Sequence, residues 1–190
     1  LSVELITVEG ERLTLGSLAP DTPGYDLMAL VTGSEGMLGI IVEVTVKLLP
    51  KPAQAQALLA AFDTVENAGH AVGAIIAAGI IPGGLEMMDN PAIRAAEDFV
   101  HAGYPVDAAA ILICELDGTA EEVATDLETV DALMKAQGAT EVRVSTSDAE
   151  RQRFWAGRKA AFPAVGRLSP DYYCMDGTIP RRALPDVLQR

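Results

Sequence analysis

A glycine-rich segment at residues 33–41 is the first part of the sequence whose residue types could support chemistry. It reads Gly-Ser-Glu-Gly-Met-Leu-Gly-Ile-Ile and places Gly33, Gly36 and Gly39 between a short apolar segment and a strand pattern. Because glycine has no Cβ atom, the backbone N–H groups at these positions could approach a phosphate group or the edge of a bound cofactor. An ordinary loop with positive φ angles would use the same spacing. The spacing alone does not separate these two interpretations.

Arg158 is the second candidate, because aromatic residues surround it at helical spacing. A Ser-x-x-Glu capping box predicts a helix over residues 148–162, in which Phe154, Arg158 and Phe162 share one face and Trp155 lies beside them. The simplest interpretation is structural: the guanidinium stacks on a ring while its charged end reaches water. The alternative is that Arg158 binds a ligand, and the spacing alone does not establish that role.

Composition excludes several other kinds of site. The formal net charge of −13 repels phosphate backbones and no basic patch offsets it, so we expect no nucleic-acid binding. His70, His101, Cys114 and Cys174 lack metal-ligand spacing, so we expect no metal site. Both cysteines lie in apolar, strand-like runs, which favours reduced, buried thiols and a cytoplasmic location. No apolar stretch is long enough for a membrane span, and we expect neither a membrane span nor a signal peptide.

The first part of the chain reads as a small β structure. Residues 3–15 predict a β-hairpin with a glycine-containing turn, and residues 40–49 predict a long strand that a Pro-Lys-Pro sequence ends. Two prolines flanking a lysine cannot continue a sheet ladder. We therefore divide the chain into a first domain at residues 1–52 and a second domain at residues 53–190.

The second domain alternates between strand and helix patterns. The predicted strands are 58–62, 80–88, 109–116 and 140–144, and the predicted helices are 63–79, 90–101 and 119–138. Capping boxes begin two of these helices, at Asp63 with Glu66 and at Thr119 with Glu122. This order favours an α+β, ferredoxin-like domain with a four-stranded antiparallel sheet and helices on one face.

The glycine-rich segment and its surroundings resemble the end of the FAD-binding domain in FAD-linked oxidases of the vanillyl-alcohol-oxidase type. The resemblance rests on residues 24–32, 33–41, 43–48 and 50–52. It implies that the glycine-rich segment contacts FAD, largely through backbone atoms. The implied contacts are Ser34, Glu35, Gly36, Met37, Leu38, Gly39, Ile40 and Ile41. Met37 stands where many relatives have threonine, which puts a side-chain hydroxyl contact there in doubt.

Later residues resemble the C-terminal cap domain of the same family, and in particular its glycolate-oxidase branch. The resemblance rests on residues 83–89, 154–163 and 169–180, and it covers the whole chain. In related 2-hydroxy-acid dehydrogenases the arginine of a Trp-x-x-Arg sequence binds the substrate carboxylate, which implies that role for Arg158. Relatives acting on dicarboxylic acids have a lysine where this chain has Cys174, so the resemblance favours a monocarboxylic acid.

The resemblance therefore implies the edge of an FAD-binding domain followed by most of a substrate cap domain. The full-length protein is expected to oxidise a small 2-hydroxy acid, glycolate or D-lactate, to the 2-oxo acid with FAD. Other subunits of a glycolate oxidase complex are the implied partners, with homo-oligomers left open and attachment to the inner face of the membrane through those subunits as an option.

Both ends of the sequence look cut, because Leu1 opens directly into a strand pattern and residues 183–188 only begin a helix pattern. The resemblance puts the pyrophosphate-binding loops and the metal-binding motifs of the family outside this range. We expect the fragment alone to be inactive and to hold no FAD. The alternative is a non-enzymatic ferredoxin-like module for binding or assembly, against which flavin absorbance of the full-length protein would argue.

Overall fold

The computed structural model describes residues 1–19, 24–180 and 183–188, and the chain forms two compact units, Leu1–Lys51 and Pro52–Arg190. The elements of the first unit are β1 (Ser2–Ile6), β2 (Arg12–Gly16), α1 (Leu27–Val31) and β3 (Ile40–Thr45).

The strands of the first unit form an antiparallel sheet in the order β2-β1-β3, with a small core of Val3, Leu5 and Val31. The predicted β-hairpin is confirmed. Strand β3 ends at Thr45 instead of residue 49, because its pairing with β1 ends where Thr45 lies opposite Ser2. A strand segment without a ladder partner has unpaired backbone groups and does not extend the sheet.

The second unit contains a four-stranded antiparallel sheet in the order β5-β6-β4-β7. Its elements are β4 (Gln54–Phe62), α2 (Val65–Ala77), β5 (Gly84–Asp89), α3 (Asn90–Val100), β6 (Ala110–Gly118), α4 (Ala120–Ala136), β7 (Ala139–Val144), α5 (Asp148–Lys159), α6 (Ala161–Leu168) and α7 (Leu184–Leu188). Two β-α-β units, β4-α2-β5 and β6-α4-β7, build this sheet. The first strand, β4, lies between β6 and the last strand, β7, as in a ferredoxin-like sheet. The predicted α+β fold with four antiparallel strands is confirmed.

Helices cover both faces of this sheet, which corrects the expectation of helices on one face. Helices α2 and α4 pack on the face that contains Leu58 and Phe62. Helices α3 and α5 pack on the opposite face, around Leu59 and Ile113. The physical reason is that every residue in 57–62 is buried, so the strand is apolar on both sides and requires cover on both sides.

The helix ends largely follow the predicted caps. The Thr119 capping box at the start of α4 is present as predicted, whereas α2 begins one residue later than expected, with Thr64 as its cap in place of Asp63. Helix α5 begins at the predicted cap but ends at Lys159 instead of residue 162. Pro163 explains the early end, because it lacks the N–H that a continuous helix would donate to the Lys159 carbonyl. The chain bends at Ala160 and α6 starts with Pro163 in its first turn.

We predict opposite stability changes for two helical glycines. A Cβ atom on Gly157 of α5 would overlap the ring of Tyr104, whereas a Cβ atom on Gly73 of α2 would meet no heavy atom within 4 Å. Gly157→Ala should therefore lower the free energy of unfolding by about 1–3 kcal/mol through overpacking. Gly73→Ala should raise it by roughly 0.5–1 kcal/mol, since alanine is the better helix former. Chemical denaturation followed by circular dichroism measures both, and an unchanged or higher midpoint for Gly157→Ala would contradict the packing described.

Candidate functional site

Arg158 lies in the last turn of α5 and forms an ion pair with Glu86 of strand β5. Its Nε atom donates to Glu86 Oε2 at 3.0 Å, and the two side chains are 33% and 40% exposed. Among the described residues, none accepts a hydrogen bond from the Nη atoms of Arg158. The guanidinium is therefore held at one position and keeps further donors for a ligand.

Tyr104 holds the helical turn that carries Arg158. Its hydroxyl accepts a hydrogen bond from the backbone N–H of Arg158 at 3.0 Å and donates one to the carbonyl oxygen of Phe154. Tyr104 is 5% exposed, and burial raises its pKa to about 12, so the phenol stays protonated at neutral pH and remains a donor. Gly157 makes this approach possible, because any side chain there would meet the Tyr104 ring.

Two concavities adjoin the Arg158 side chain. One, of about 290 Å³, lies at the end of β5 between the starts of α2 and α3. The other, of about 300 Å³, lies between α6 and residues 172–174. Arg158 and Ala161 line both, and apolar side chains make up most of the remaining walls. An arginine in a mostly apolar concavity is suited to a small anion with an apolar part.

The aromatic residues near Arg158 do not stack on it, which corrects the structural interpretation of their spacing. Phe154 is buried in the core, Phe162 belongs to α6 after the chain bend, and Trp155 donates its Nε1–H to Glu115 Oε2 at 2.6 Å. The cation–π contacts of the described residues involve Arg143 on Phe154 and Arg167 on Phe99 instead.

Glu86, Glu115 and Tyr104 are the site residues that the sequence reasoning missed. Glu115 accepts hydrogen bonds from both Trp155 and Arg151, the latter at 2.8 Å. A signal was available, because Glu86 lies between Leu85 and Met87 and Glu115 lies between Cys114 and Leu116, each carboxylate directly flanked by apolar residues of its strand. A carboxylate in such a strand requires a charged or hydrogen-bonding partner.

The glycine-rich segment 33–41 forms a turn that borders a separate concavity of about 310 Å³ in the first unit. Gly33, Glu35, Gly36 and Gly39 all have positive φ angles. A Cβ atom on Gly39 would lie 2.6 Å from the Ile6 carbonyl oxygen, so β1 requires glycine there. At Gly33 and Gly36 an added Cβ would meet no heavy atom within 4 Å. The structure thus brings Gly33, Ser34, Glu35, Gly36, Gly39, Ile40 and Ile41 together around this concavity, whereas Met37 and Leu38 are exposed and do not line it. The concavity lies in a different unit from Arg158.

The two cysteines differ from each other. Cys114 is buried as expected, and burial raises the pKa of its thiol to about 12. Cys174 is exposed, which corrects the expectation of a buried thiol in a strand. Residues 170–180 pair with no strand of either sheet, and a segment without a ladder partner does not bury alternate side chains.

Within the ranges 1–19, 24–180 and 183–188, no three histidine, cysteine, aspartate or glutamate side chains are grouped so that they could hold a metal ion. None of the helices in this part of the chain has the length and apolar character needed to cross a membrane.

Solved structures with the same fold include an oxidase chain and a synthase chain of low sequence identity. The 4-ethylphenol oxidase of Gulosibacter chungangensis matches with a TM-score of 0.63 at 14% identity, over 89% of this chain and 40% of that one. An alkyldihydroxyacetonephosphate synthase matches with a TM-score of 0.62 at 19% identity, over 88% of this chain and 32% of the synthase. At these identities the likeness shows the fold.

Relatives found by sequence have higher identity to this chain than these solved structures do. The chain is 70% identical to the glycolate oxidase subunit GlcD of Escherichia coli over 189 residues, which are 100% of this chain and 38% of that protein. It is 37% identical to GlcD of Bacillus subtilis over 100% of this chain and 40% of that protein. The identity to a D-lactate dehydrogenase of Anaerostipes hadrus is 30%, over 86% of this chain and 36% of that enzyme. The chain therefore spans about two fifths of the length of these relatives.

The family model that describes the C-terminal domain of FAD linked oxidases matches residues 51–190. That range contains the four-stranded sheet, the helices on its two faces and the Arg158 site. This chain therefore belongs to the FAD-linked oxidase family, and residues 51–190 are a C-terminal domain of that family.

Proposed function

We propose that the full-length protein oxidises a small 2-hydroxy acid, glycolate or D-lactate, to the corresponding 2-oxo acid with FAD as cofactor. The observation that carries this proposal is Arg158, which is fixed at Nε by Glu86 and borders mostly apolar concavities with its Nη atoms unengaged by the described residues. The names of the relatives, glycolate oxidase subunit and D-lactate dehydrogenase, support the same substrate class.

Arg158 binds the substrate carboxylate in this proposal. A guanidinium presents parallel N–H donors that match the two oxygens of a carboxylate, and each charge-assisted hydrogen bond contributes about 1.5–3 kcal/mol. Lysine offers a point charge without this planar geometry. The hydrogen bond from the Arg158 backbone to Tyr104 keeps the supporting turn in place, so the side chain is oriented before the substrate arrives.

The walls of the concavities favour a monocarboxylic substrate. Among the described lining residues, Arg158 is the only cation, and Cys174 lies beside Tyr172 and Tyr173. A second substrate carboxylate would lose its hydration without gaining a charged partner there. Glycolate and lactate have one carboxylate and a small remainder, and both are consistent with volumes of about 300 Å³.

Residues 34–41 are the proposed contacts of this chain with FAD, and the unit at residues 1–51 is the proposed C-terminal part of an FAD-binding domain. The open space at Gly33 and Gly36 supports this assignment, since the backbone there can approach a ligand without meeting its own chain. The contacts would be made by the main chain and by the Ser34 hydroxyl, because Met37 brings no hydroxyl group and does not line the concavity. Residues 34–41 would hold FAD, which would supply the two-electron acceptor that oxidation of a 2-hydroxy acid needs.

The same proposal includes the assembly and location of the full-length protein. The two GlcD relatives are named as subunits, which supports a complex with other subunits that receive the electrons. A buried Cys114 thiol is consistent with the reducing cytoplasm. Attachment to the inner face of the membrane would then depend on the partner subunits.

Arg158→Lys in the full-length holoenzyme should lower kcat/KM for glycolate or D-lactate by about 10- to 100-fold, because lysine cannot reproduce two parallel hydrogen bonds to a carboxylate. Steady-state turnover with an artificial electron acceptor measures the effect. Arg153→Lys is the matched control, since Arg153 lies exposed on the same helix, and its kcat/KM should stay within about twofold of wild type. Equal values for the two variants would remove Arg158 from substrate binding.

Gly36→Ala should reduce the FAD content of the full-length protein more than Gly10→Ala does. The two glycines are closely matched, with φ angles of 81° and 83° and no heavy atom within 4 Å of an added Cβ. The backbone strain of the substitution is therefore similar, and only Gly36 lies in the proposed cofactor segment. The flavin absorbance of the purified variants, normalised to protein, gives the comparison. The same FAD occupancy in both would contradict the proposed contact.

A further inference from the structure

Helix α5 faces two carboxylates on the sheet. Arg151, Trp155 and Arg158 follow at i, i+4 and i+7 spacing and therefore share one helix face. On the sheet, Gly84 lies opposite Glu115 in the β5–β6 register, and Glu86 is two residues further along β5 on the same side. The carboxylates of Glu115 and Glu86 are thus diagonal neighbours beneath this helix face.

The two carboxylates make different contacts. Glu115 is 20% exposed and accepts from Arg151 and Trp155, so it bonds the first two polar residues of the helix face to the sheet. Gly84 gives room for the Trp155 ring, because a Cβ there would lie 2.9 Å from two ring atoms. Glu86 contacts the third residue, Arg158, at the end of the helix that borders the concavities.

We propose that Glu86 is a positioning residue for substrate binding: its carboxylate holds the Nε edge of Arg158 so that the Nη edge is presented to the substrate carboxylate. This inference rests on the function proposed above. A guanidinium has five N–H donors in a fixed plane, so a contact at Nε at 3.0 Å sets the direction of the remaining donors. A second carboxylate can then bind the opposite edge in two parallel hydrogen bonds.

Surface ion pairs contribute little to the free energy of unfolding, which argues against a purely stabilising role for Glu86. The Glu86 and Arg158 side chains are 40% and 33% exposed, and pairs with this exposure contribute little to folding because water and salt screen them. Orienting a long, flexible arginine has a larger effect on a ligand that must meet two donors at once. Removal of Glu86 should therefore change substrate affinity more than the unfolding midpoint.

The test compares Glu86→Ala with Glu86→Gln in the full-length holoenzyme. Glu86→Ala removes the acceptor, and KM for glycolate or D-lactate should rise roughly tenfold, the effect of about one lost hydrogen bond, while kcat changes by less than about twofold. Glu86→Gln keeps an oxygen acceptor for Nε and removes a negative charge near the substrate, so its KM should stay near that of wild type. A structural role of Glu86 would not separate KM from kcat, and rescue by glutamine identifies orientation as the cause.

Asp148→Asn is the matched control, because Asp148 also pairs with an arginine of α5 but is 80% exposed and lies away from the concavities. Its KM and unfolding midpoint should equal those of wild type. A Glu86→Ala enzyme with wild-type KM, or equal KM increases for alanine and glutamine, would overturn the positioning role while wild-type turnover remains. A wild-type holoenzyme that neither oxidises these acids nor binds acetate, measured by calorimetry, would instead overturn the proposed function and this inference with it.

Discussion

Leu58 and Leu59 are neighbours in strand β4, and both are fully buried although their side chains point to opposite faces of the sheet. Burial of two such side chains contributes on the order of 1.5–3 kcal/mol each, and it requires helices above and below the strand. Helices α2 and α4 cover one face, and α3 and α5 cover the other. The position of Arg158 follows from this constraint, because α5 lies where the second face needs cover.

Polar contacts fix α5 more exactly than apolar packing could. The apolar face under α5 would accept the helix in several rotations, since hydrophobic burial has no preferred direction. Tyr104 and Glu115 bind particular atoms of the helix, the carbonyl of Phe154, the backbone N–H of Arg158 and the polar side chains of Arg151 and Trp155. These hydrogen bonds select one rotation and one axial position, and they do so at the turn that carries the candidate site.

Local patterns in the sequence were sufficient for most elements and for one part of the site. The Thr119 capping box, the apolar strand runs and the glycine-rich turn at 33–41 depend on neighbouring residues, and the structure contains all three. The pairing of Arg158 with Glu86 spans 72 positions in the chain, and no local pattern records such a distance. The interpretation of the aromatic residues around Arg158 was wrong because Phe154 is buried in the core, Trp155 bonds to Glu115, and the bend at Ala160 places Phe162 on another helix.

The sequence also contained enough information to predict helices on the second face of the four-stranded sheet. Residues 57–62 and 110–114 are unbroken apolar runs, and an antiparallel strand with one wet face would alternate instead. In a ferredoxin-like arrangement the helices within the β-α-β units, here α2 and α4, cover one face, and α3 and α5 are additional to that arrangement. The runs themselves contain the information that both faces are dry.

The bend before Pro163 also changes the electrostatic potential near Arg158. A chain with a net charge of −13 repels small anions at long range, so an anion site on it depends on positive potential at short range. Helix α6 begins at Ala161, which lines both concavities, and the partial positive charge of its macrodipole is added there to that of the guanidinium. Lys159 lies in the last turn of α5 and offsets the negative end of that helix. An unbroken helix through residue 168 would have moved this positive end away from Arg158, whereas the break at Ala160 leaves it at Ala161, which lines the same two concavities as Arg158.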